Sequence, residues 1–152
     1  MSYQLSKRSL SRLAGVDDKL VAVVKRAIEI SDVDFMVLEG VRSKEQCMIN
    51  YGKGRTAAQV QAKGVPAKYA QPSVSKVTWL NNPFANKHVS GKAVDLVPYP
   101  VDWNDLSKFD KIAKAMLTAA KELKVNVRWG ADWDNDGKPR ERGESDSPHF
   151  EI

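Results

Sequence analysis

The chain has 152 residues, of which 42% are hydrophobic and 28% charged, and its formal net charge is +5 at pH 7. This length predicts one domain over residues 1–152, because it is enough for a buried core and short for two. Cys47 is the only cysteine. An internal disulfide and a thiolate-cluster zinc site are therefore excluded, and any zinc would have to be held by imidazole and carboxylate groups.

Targeting signals and net charge indicate where the protein is made and what kind of partner it meets. Residues 1–20 lack an apolar stretch of signal-peptide length, and no later run approaches the roughly 18 apolar residues of a membrane span. We therefore expect a protein made and folded in a cytoplasm, without stable membrane insertion. The positive charge suits a polyanionic neighbour: nucleic acid, an anionic membrane or a cell-wall polymer. The alternative is a solvated basic surface, since the basic residues are scattered along the chain.

The first predicted elements are a helix and a strand. Asp17 precedes apolar residues at helical spacing, which predicts a helix over 17–30. The run at 34–40 is short, β-rich and ended by Gly40, which predicts a buried strand. The predicted buried face of the helix consists of Leu20, Val24, Ala27 and Ile28.

Two capping-box patterns then predict two shorter helices. Ser43 followed by Gln46 opens a helix that ends near residue 51. Thr56 followed by Gln59 opens another, which Gly64 closes.

A long loop and a strand come next. Residues 65–86 contain three prolines and no clear period, which predicts a loop with a short strand near 77–80. A loop of this length in a small domain is usually functional. Residues 92–98 read as a strand that Pro98 stops.

The last part of the chain predicts one long helix and two strands. Asp105 caps the helix, and strands are expected at 126–130 and 149–152. Helices and strands are mixed along the chain without a regular βαβ repeat. We therefore expect an α+β fold with a small antiparallel sheet and flanking helices. The predicted buried stripe of the helix is Phe109, Ile112, Met116, Leu117, Ala120 and Leu123.

The chain has only two histidines, and each is accompanied by a carboxylate. His88 lies seven residues before Asp95, with Gly91 available for a tight bend, and His149 lies near the C-terminus. Catalytic zinc takes three protein ligands of these types and leaves a fourth position for water. Asp146 could accept a proton from that water. On spacing alone, the alternative is a pair of structural or surface histidines.

Four motifs, in order along the chain, resemble one enzyme family. H-V-S-G-K-A-V-D (88–95) matches the H-x-x-G-x-A-x-D motif of zinc peptidoglycan peptidases related to D-alanyl-D-alanine carboxypeptidases, which share a fold with the hedgehog signalling domain. D-S-P-H (146–149) is similar to the acid-x-x-H motif of this family. G-V-R-S-K-E-Q with Y-G-K-G-R-T (40–46 and 51–56) and W-G-A-D-W (129–133) match two further elements. The resemblance is greatest to phage endolysins that cleave L-alanyl-D-glutamate bonds.

The resemblance implies a role for each matching residue. Zinc would be held by His88, Asp95 and His149, and Asp146 would be the general acid and base. Arg42 matches the arginine that faces the substrate, where a guanidinium can bind a peptide carboxylate or the developing oxyanion.

The chain departs from the family pattern at two positions, and a further carboxylate lies close to a predicted ligand. Many family members have serine where this chain has Asn86, so a hydrogen bond around the metal or to the substrate differs. Many carboxypeptidase members use glutamate where this chain has Asp146, aspartate is also found there in phage endolysins, and Glu144 is the alternative base. Glu151 would share a strand face with His149 and is expected to contact that ligand rather than the metal.

A second metal is suggested by D-W-D-N-D-G (132–137), which fits the opening of a calcium loop with ligands Asp132, Asp134 and Asp136. The twelfth position is Gly143 and not the glutamate of an EF-hand, so an acidic surface loop is the alternative. Bound Ca²⁺ would be regulatory, because this loop leads directly to Asp146.

The resemblance therefore implies a zinc metallopeptidase that hydrolyses the stem peptides of bacterial peptidoglycan, most naturally at the L-alanyl-D-glutamate bond. The alternatives are a D-alanyl-D-alanine carboxypeptidase and a non-catalytic, zinc-containing binding module. We expect a monomer without a separate wall-binding domain and without a nucleic-acid partner. It would accumulate in the host cytoplasm and reach the wall after holin-type release.

Overall fold

The computed structural model describes residues 3–79, 81–85, 87–134, 136–141 and 146–152. The contacts divide the chain into two compact units, Met1–Val41 with Ser90–Ile152, and Arg42–Val89. In the described ranges, no helix is both long and apolar enough to cross a membrane. In chain order the elements are α1 (Lys7–Arg12), α2 (Asp18–Ile30), β1 (Phe35–Glu39), α3 (Lys44–Gly52), α4 (Ala57–Gln61), a 3₁₀ helix (Ala67–Tyr69), β2 (Ala93–Pro98), α5 (Leu106–Leu123), β3 (Arg128–Trp129) and β4 (His149–Glu151).

The first unit is built on one antiparallel sheet with the strand order β1-β2-β4-β3. This confirms the predicted α+β class. Strand β2 is central and is buried at every position except Asp95, which is half-buried. A strand with so continuous an apolar run is expected where both faces of the sheet are covered. The strand predicted at 126–130 is shorter than expected and comprises only Arg128 and Trp129.

Helix α1 was not predicted, and it protects the free edge of the sheet. Because β1 is an edge strand, its outer backbone groups have no ladder partner among the described residues. The buried Ser9 hydroxyl accepts a hydrogen bond from Val37 N at 3.0 Å, and Arg12 Nη1 donates to Val37 O at 3.0 Å. Two side chains of α1 thus replace the missing strand.

The core of the first unit lies between the sheet and helices α2 and α5. The four residues predicted on the inner face of α2 are all buried, and Asp17 caps the helix by accepting from Lys19 N at 2.9 Å. Asp105 occupies the N-cap position of α5 as predicted. Its carboxylate, however, accepts from Ser107 Oγ at 2.6 Å and makes no cap to a backbone N–H.

The predicted buried stripe of α5 is wrong at Leu117, within the helix, and at Leu123, its last residue. Leu117 is only half-buried and Leu123 is 43% exposed, whereas Phe109, Ile112, Met116 and Ala120 are buried. Leu123 is the last helical residue, and the left-handed Lys124 follows it, so the helix ends where the periodicity would have continued. Alanines at 113, 115 and 119 are buried instead.

This difference predicts unequal effects of truncating two side chains on the same helix. Met116→Ala should lower the free energy of unfolding by about 2–5 kcal/mol, because Met116 is fully buried. Leu123→Ala should change it by no more than about 0.5 kcal/mol. Urea denaturation of both variants measures the two values, and similar losses would contradict the exposure assigned to Leu123.

The second unit contains α3, α4 and the 3₁₀ helix. Ser43 accepts from Gln46 N at 3.1 Å, and Thr56 and Gln59 form the complete reciprocal capping box, so both predicted helix starts are confirmed. Gly64 has a φ of +79°, as its closing role requires. Tyr51, Val60 and Val65 form a small core.

The short strand predicted near 77–80 does not form over 77–79, and Leu80 lies outside the described residues. The buried Arg55 takes the place of a strand partner there. Its guanidinium stacks on the Tyr51 ring at 3.9 Å and donates to Tyr51 O and Thr78 O, both at 2.9 Å. A side chain, rather than a sheet, therefore fixes this part of the long loop.

Candidate metal centre

The pairing of β2 with β4 places two of the predicted ligands opposite each other. Asp95 and His149 are cross-strand partners, and Leu96 N donates to Pro148 O at 2.9 Å beside them. Directly opposed residues project from the same face of a sheet. Their side chains accordingly meet, with His149 Nδ1 lying 3.2 Å from Asp95 Oδ1.

The other nitrogen of the His149 ring is occupied by Glu151. Nε2 lies 2.9 Å from Glu151 Oε1, since residues two apart on a strand share a face. The ring also packs against Trp133, with centroids 5.5 Å apart. In the neutral tautomer that donates from Nε2 to Glu151, the lone pair is on Nδ1, on the side that faces Asp95.

The surroundings of His149 favour positive charge. Burial acts to lower the pKa of the imidazole, but the hydrogen bonds to Asp95 and Glu151 and the nearby charges of Asp95 and Asp146 outweigh it, and the net effect raises the pKa above its ordinary value. A largely buried site that stabilises a proton in this way has the electrostatics to stabilise a metal cation.

The donor set fits zinc in type and spacing. His88, Asp95 and His149 each offer one ligand atom, and these three atoms lie within 4.8 Å of one another. Two ligands of a tetrahedral zinc lie about 3.3–3.5 Å apart when each bond is about 2.0–2.2 Å. The 3.2 Å between Nδ1 and Oδ1 is close to this value. Two imidazoles with one carboxylate also form a common catalytic zinc set.

His88 lies near the end of the second unit and is 2% exposed. Its carbonyl accepts from Arg42 N at 3.0 Å, which joins the backbones of two predicted site residues. Arg42 is half-buried, and its substrate-binding role stays a prediction. Asn86, for which a changed hydrogen bond was predicted, lies outside the described residues.

Gly91 provides the predicted bend between His88 and β2. It has a φ of +75°, in the left-handed region that favours glycine. Its carbonyl accepts from Asp17 N at 2.8 Å, and an added Cβ would lie 2.6 Å from Gly15 O. The close approach, as well as the dihedral angle, therefore requires glycine here.

Asp146 lies beside the ligand pair and keeps access to solvent. Its side chain is 53% exposed, and Oδ2 lies 3.9 Å from His149 Nδ1. The backbone turn that brings them together is closed by His149 N donating to Asp146 O at 3.1 Å. A carboxylate in this position can exchange protons with water beside the Asp95–His149 pair. Glu144, the alternative base, lies outside the described residues.

Gly130 packs against the turn at residues 146–149 and bonds its backbone. The sequence showed Gly130 only as part of the W-G-A-D-W motif and did not indicate this role. Gly130 N donates to His149 O at 2.7 Å, and Gly130 O accepts from Asp146 N at 3.2 Å. A Cβ at this position would lie 2.3 Å from Asp146 O and 3.0 Å from His149 Cβ. The first of these contacts is to backbone, which cannot rotate away.

We therefore expect Gly130→Ala to damage the site more than the fold. Overpacking should destabilise the protein by about 1–3 kcal/mol. Displacement of Asp146 and His149 by a fraction of an ångström or more should lower activity on the order of 100-fold. Gly64→Ala is the matched control, because its Cβ has nothing within 4 Å and only the positive φ is strained. A Gly130→Ala variant that loses stability but keeps its turnover rate would contradict the role assigned to Gly130.

Glu151 should act on the metal through His149. Glu151→Ala is expected to weaken zinc affinity by about 10–100-fold, the usual effect of removing a partner of a metal-bound histidine. Glu151→Gln keeps an acceptor oxygen for Nε2–H and should retain most of the affinity. Competition against a chromophoric chelator measures both, and equal affinity in wild type and Glu151→Ala would rule out this contribution.

Glu39 is a further carboxylate near the site, and sequence reasoning missed it. It lies opposite Asp95 on β1, after an irregularity in register between Val37 and Glu39. Its sequence context, the end of a short strand before glycine, offered no signal of this neighbourhood. Strand pairing alone brings it to the edge of the site.

The acidic loop brings together the three predicted calcium ligands, Asp132, Asp134 and Asp136, whose ligand atoms lie within 4.8 Å of one another. Asp132 is buried and accepts from Gly137 N at 3.0 Å. Burial raises the pKa of Asp132, whereas the backbone N–H of Lys138 lowers that of Asp136. Turns of this kind also form without a metal.

Comparison with known proteins agrees with this architecture. A solved L-Ala D-Glu endopeptidase of Serratia marcescens is similar with a TM-score of 0.67 and 27% identity, over 100% of this chain and 91% of that chain. The fold is thus of the hedgehog/DD-peptidase-like class, as predicted. The L-alanyl-D-glutamate peptidase of Escherichia phage T5 is 33% identical over 158 residues, which cover 100% of this chain and 99% of that protein. Residues 1–152 match the family described as phage L-alanyl-D-glutamate peptidase, and the chain belongs to this family.

Proposed function

We propose that the chain is a zinc-dependent phage endolysin that hydrolyses the L-alanyl-D-glutamate bond of peptidoglycan stem peptides. The observation that carries the proposal is the Asp95–His149 contact at 3.2 Å on adjacent strands, in a chain that matches the peptidase family along its whole length. The curated phage relative and the solved bacterial relative are both named for cleavage at this bond.

The residues that would hold zinc are His88, Asp95 and His149. When bound, zinc supplies a Lewis acid that polarises the scissile carbonyl and lowers the pKa of a coordinated water. Glu151 orients the His149 ring for this purpose through its 2.9 Å contact to Nε2.

Asp146 carries the proton. Its exposed carboxylate accepts a proton from the attacking water as the water oxygen bonds to the alanyl carbonyl carbon. It then donates that proton to the departing nitrogen as the C–N bond breaks. The products are an alanyl carboxylate and the free amine of D-glutamate. Arg42 binds the developing oxyanion or a substrate carboxylate, for which a guanidinium is suited in charge and shape.

Product chemistry tests the proposal. Purified peptidoglycan treated with the zinc-loaded protein should release new amino groups and no reducing sugars, and removal of the metal with a chelator should stop the release until zinc returns. Release of reducing sugars would make the enzyme a glycosidase. Binding to the wall without release would favour the non-catalytic module, and free D-alanine would favour the carboxypeptidase.

We also propose that Asp132, Asp134 and Asp136 bind Ca²⁺ and regulate activity. The support is the spacing of their ligand atoms and the position of the loop before Asp146. Added Ca²⁺ should increase activity in zinc-saturated protein, and Asp134→Asn with Asp136→Asn should remove the response. If neither EGTA nor added Ca²⁺ changes the activity while the zinc site is kept saturated, the proposal of calcium regulation is wrong.

The remaining expectations concern setting and assembly. The enzyme works as a monomeric single domain, and it reaches the wall from the host cytoplasm after holin-type release. The phage family match supports this setting. Sedimentation of the zinc-loaded protein tests the monomer, and lysis that requires a co-expressed holin tests the route.

A further inference from the structure

Ser147 lies between Asp146 and His149 and is held from two sides. Its carbonyl accepts from Trp129 Nε1 at 2.7 Å, and its hydroxyl accepts from Arg140 Nε at 3.3 Å. Ser147 itself is only 6% exposed. We propose that Arg140 is a positioning residue, which fixes Asp146 and His149 for the proposed peptidase reaction by clamping Ser147; the inference rests on that proposed function.

The contacts of Arg140 connect this segment to α5 and to the end of β3. Nη1 bonds Asp110 Oδ1 on α5 at 2.9 Å, and the guanidinium carbon lies 5.6 Å from the ring centroid of Trp129. Arg140 N donates to Ala131 O at 2.7 Å. Arg140 thus links α5, the end of β3 and the turn at residues 146–149, which is called the catalytic turn below. The planar guanidinium can make these contacts together, since Nε and Nη1 point in different fixed directions.

Two unfavourable features of Arg140 indicate that its position serves more than stability. Its φ is +64°, in the left-handed region where non-glycine residues are uncommon. Nη2 is buried and has no hydrogen-bond partner within the described part of the chain. Strained backbone and unsatisfied buried donors persist mainly where the surrounding structure holds them for function.

The Arg140–Ser147 contact lies next to Asp146 and His149, the residues whose positions the proposed reaction depends on. Asp146 has a half-exposed side chain, so the turn at 146–149 must be fixed through its backbone and through Ser147. Trp129 and Gly130 hold the backbone of this turn, and Arg140 adds the only side-chain bond to the Ser147 hydroxyl among the described residues. Loss of that bond leaves the ligands present but less well placed.

Hydrogen exchange and kinetics test the inference in the full-length, zinc-loaded protein. Arg140→Gly removes the side chain while relieving the positive φ, and Ser147→Ala removes only the hydroxyl acceptor. In both variants, amides in the 146–152 peptide should exchange about ten-fold faster, the factor expected for loss of one hydrogen bond to a charged group. kcat should fall by a similar factor, with KM within about two-fold of wild type.

Arg140→Lys and a matched ion-pair variant separate positioning from general stability. Lysine keeps a charge for Asp110 but lacks the fork that reaches Ser147, so kcat should stay low. Adding Ser147→Ala to Arg140→Lys should then cost little more, because both changes remove the same bond. Arg26→Ala is the control: Arg26 bonds Glu122 on α5 at 2.8 Å and does not contact the catalytic turn.

The outcomes are distinct. Unchanged exchange at 146–152 and unchanged kcat in Arg140→Gly, or losses no larger than those of Arg26→Ala, would overturn the clamp. If wild-type protein releases no amines from peptidoglycan, the proposed function fails. The exchange measurement still decides whether Arg140 orders the turn.

Discussion

His88→Ala is expected to abolish zinc-dependent release of amines from peptidoglycan. His88 is one of three donors whose ligand atoms lie within 4.8 Å of one another, and two remaining donors hold zinc poorly. The loss should exceed the roughly 10–100-fold that follows removal of an outer partner of a metal ligand. Zinc content after dialysis and the rate of amine release measure the two consequences separately.

A second substitution at the same position controls for folding. His88 is almost fully buried, so alanine also leaves a cavity and lowers stability. His88→Cys provides a thiolate that can bind zinc, and it should recover part of the metal content that alanine loses. A folded His88→Ala protein with full zinc content and normal activity would show that His88 is not a ligand.

Asp146→Asn is expected to stop catalysis while leaving zinc bound. The amide cannot accept a proton from water, and loss of a general base typically costs about 10²–10⁴-fold in rate. The metal should stay because the Asp95–His149 contact does not involve Asp146, whose carboxylate is 3.9 Å from Nδ1. Steady-state rates with zinc content on the same samples provide the measurement.

Asp146→Glu is the informative companion to this variant. A carboxylate one methylene longer keeps the chemistry and changes only the reach, so part of the activity should survive. Full activity in Asp146→Asn would move the role of base to another group, with Glu144 the first to test by Glu144→Gln.

Sequence patterns predicted the elements whose signals are local. The caps at Asp17, Ser43 and Thr56 bond backbone groups two or three residues away, so their spacing alone identified them. The strand carrying Asp95 and the strand beginning at His149 were also identified. Their pairing, which places Asp95 opposite His149, is seen in β2 and β4.

The features that sequence reasoning missed depend on contacts between distant residues. No local pattern shows that Ser9 bonds Val37, 28 residues away, or that Arg140 bonds Asp110, 30 residues away. The requirement for glycine at 130 exists only because the turn at Asp146 folds onto it. The exposure of Leu123 likewise depends on where α5 ends.

Candidate residues for the site could be proposed from the sequence because histidine is rare in this chain. Two histidines in 152 residues leave few choices for a metal centre, and the matching motifs fixed their partners. The supporting residues are common types: an arginine, a glutamate and a glycine with many equivalents elsewhere in the chain. Glu151 was expected from its two-residue spacing to His149, whereas only their placement distinguishes Arg140 and Gly130 from similar residues.

Mass spectrometry of peptidoglycan fragments after digestion tests the central claim most directly. We predict fragments in which stem peptides begin with a free D-glutamate amine and the glycan retains a terminal L-alanine carboxylate. These fragments should be absent when His88→Ala replaces the wild-type protein. Release of D-alanine with the L-alanyl-D-glutamate bond intact, or cleavage of the glycan itself, would contradict the claim.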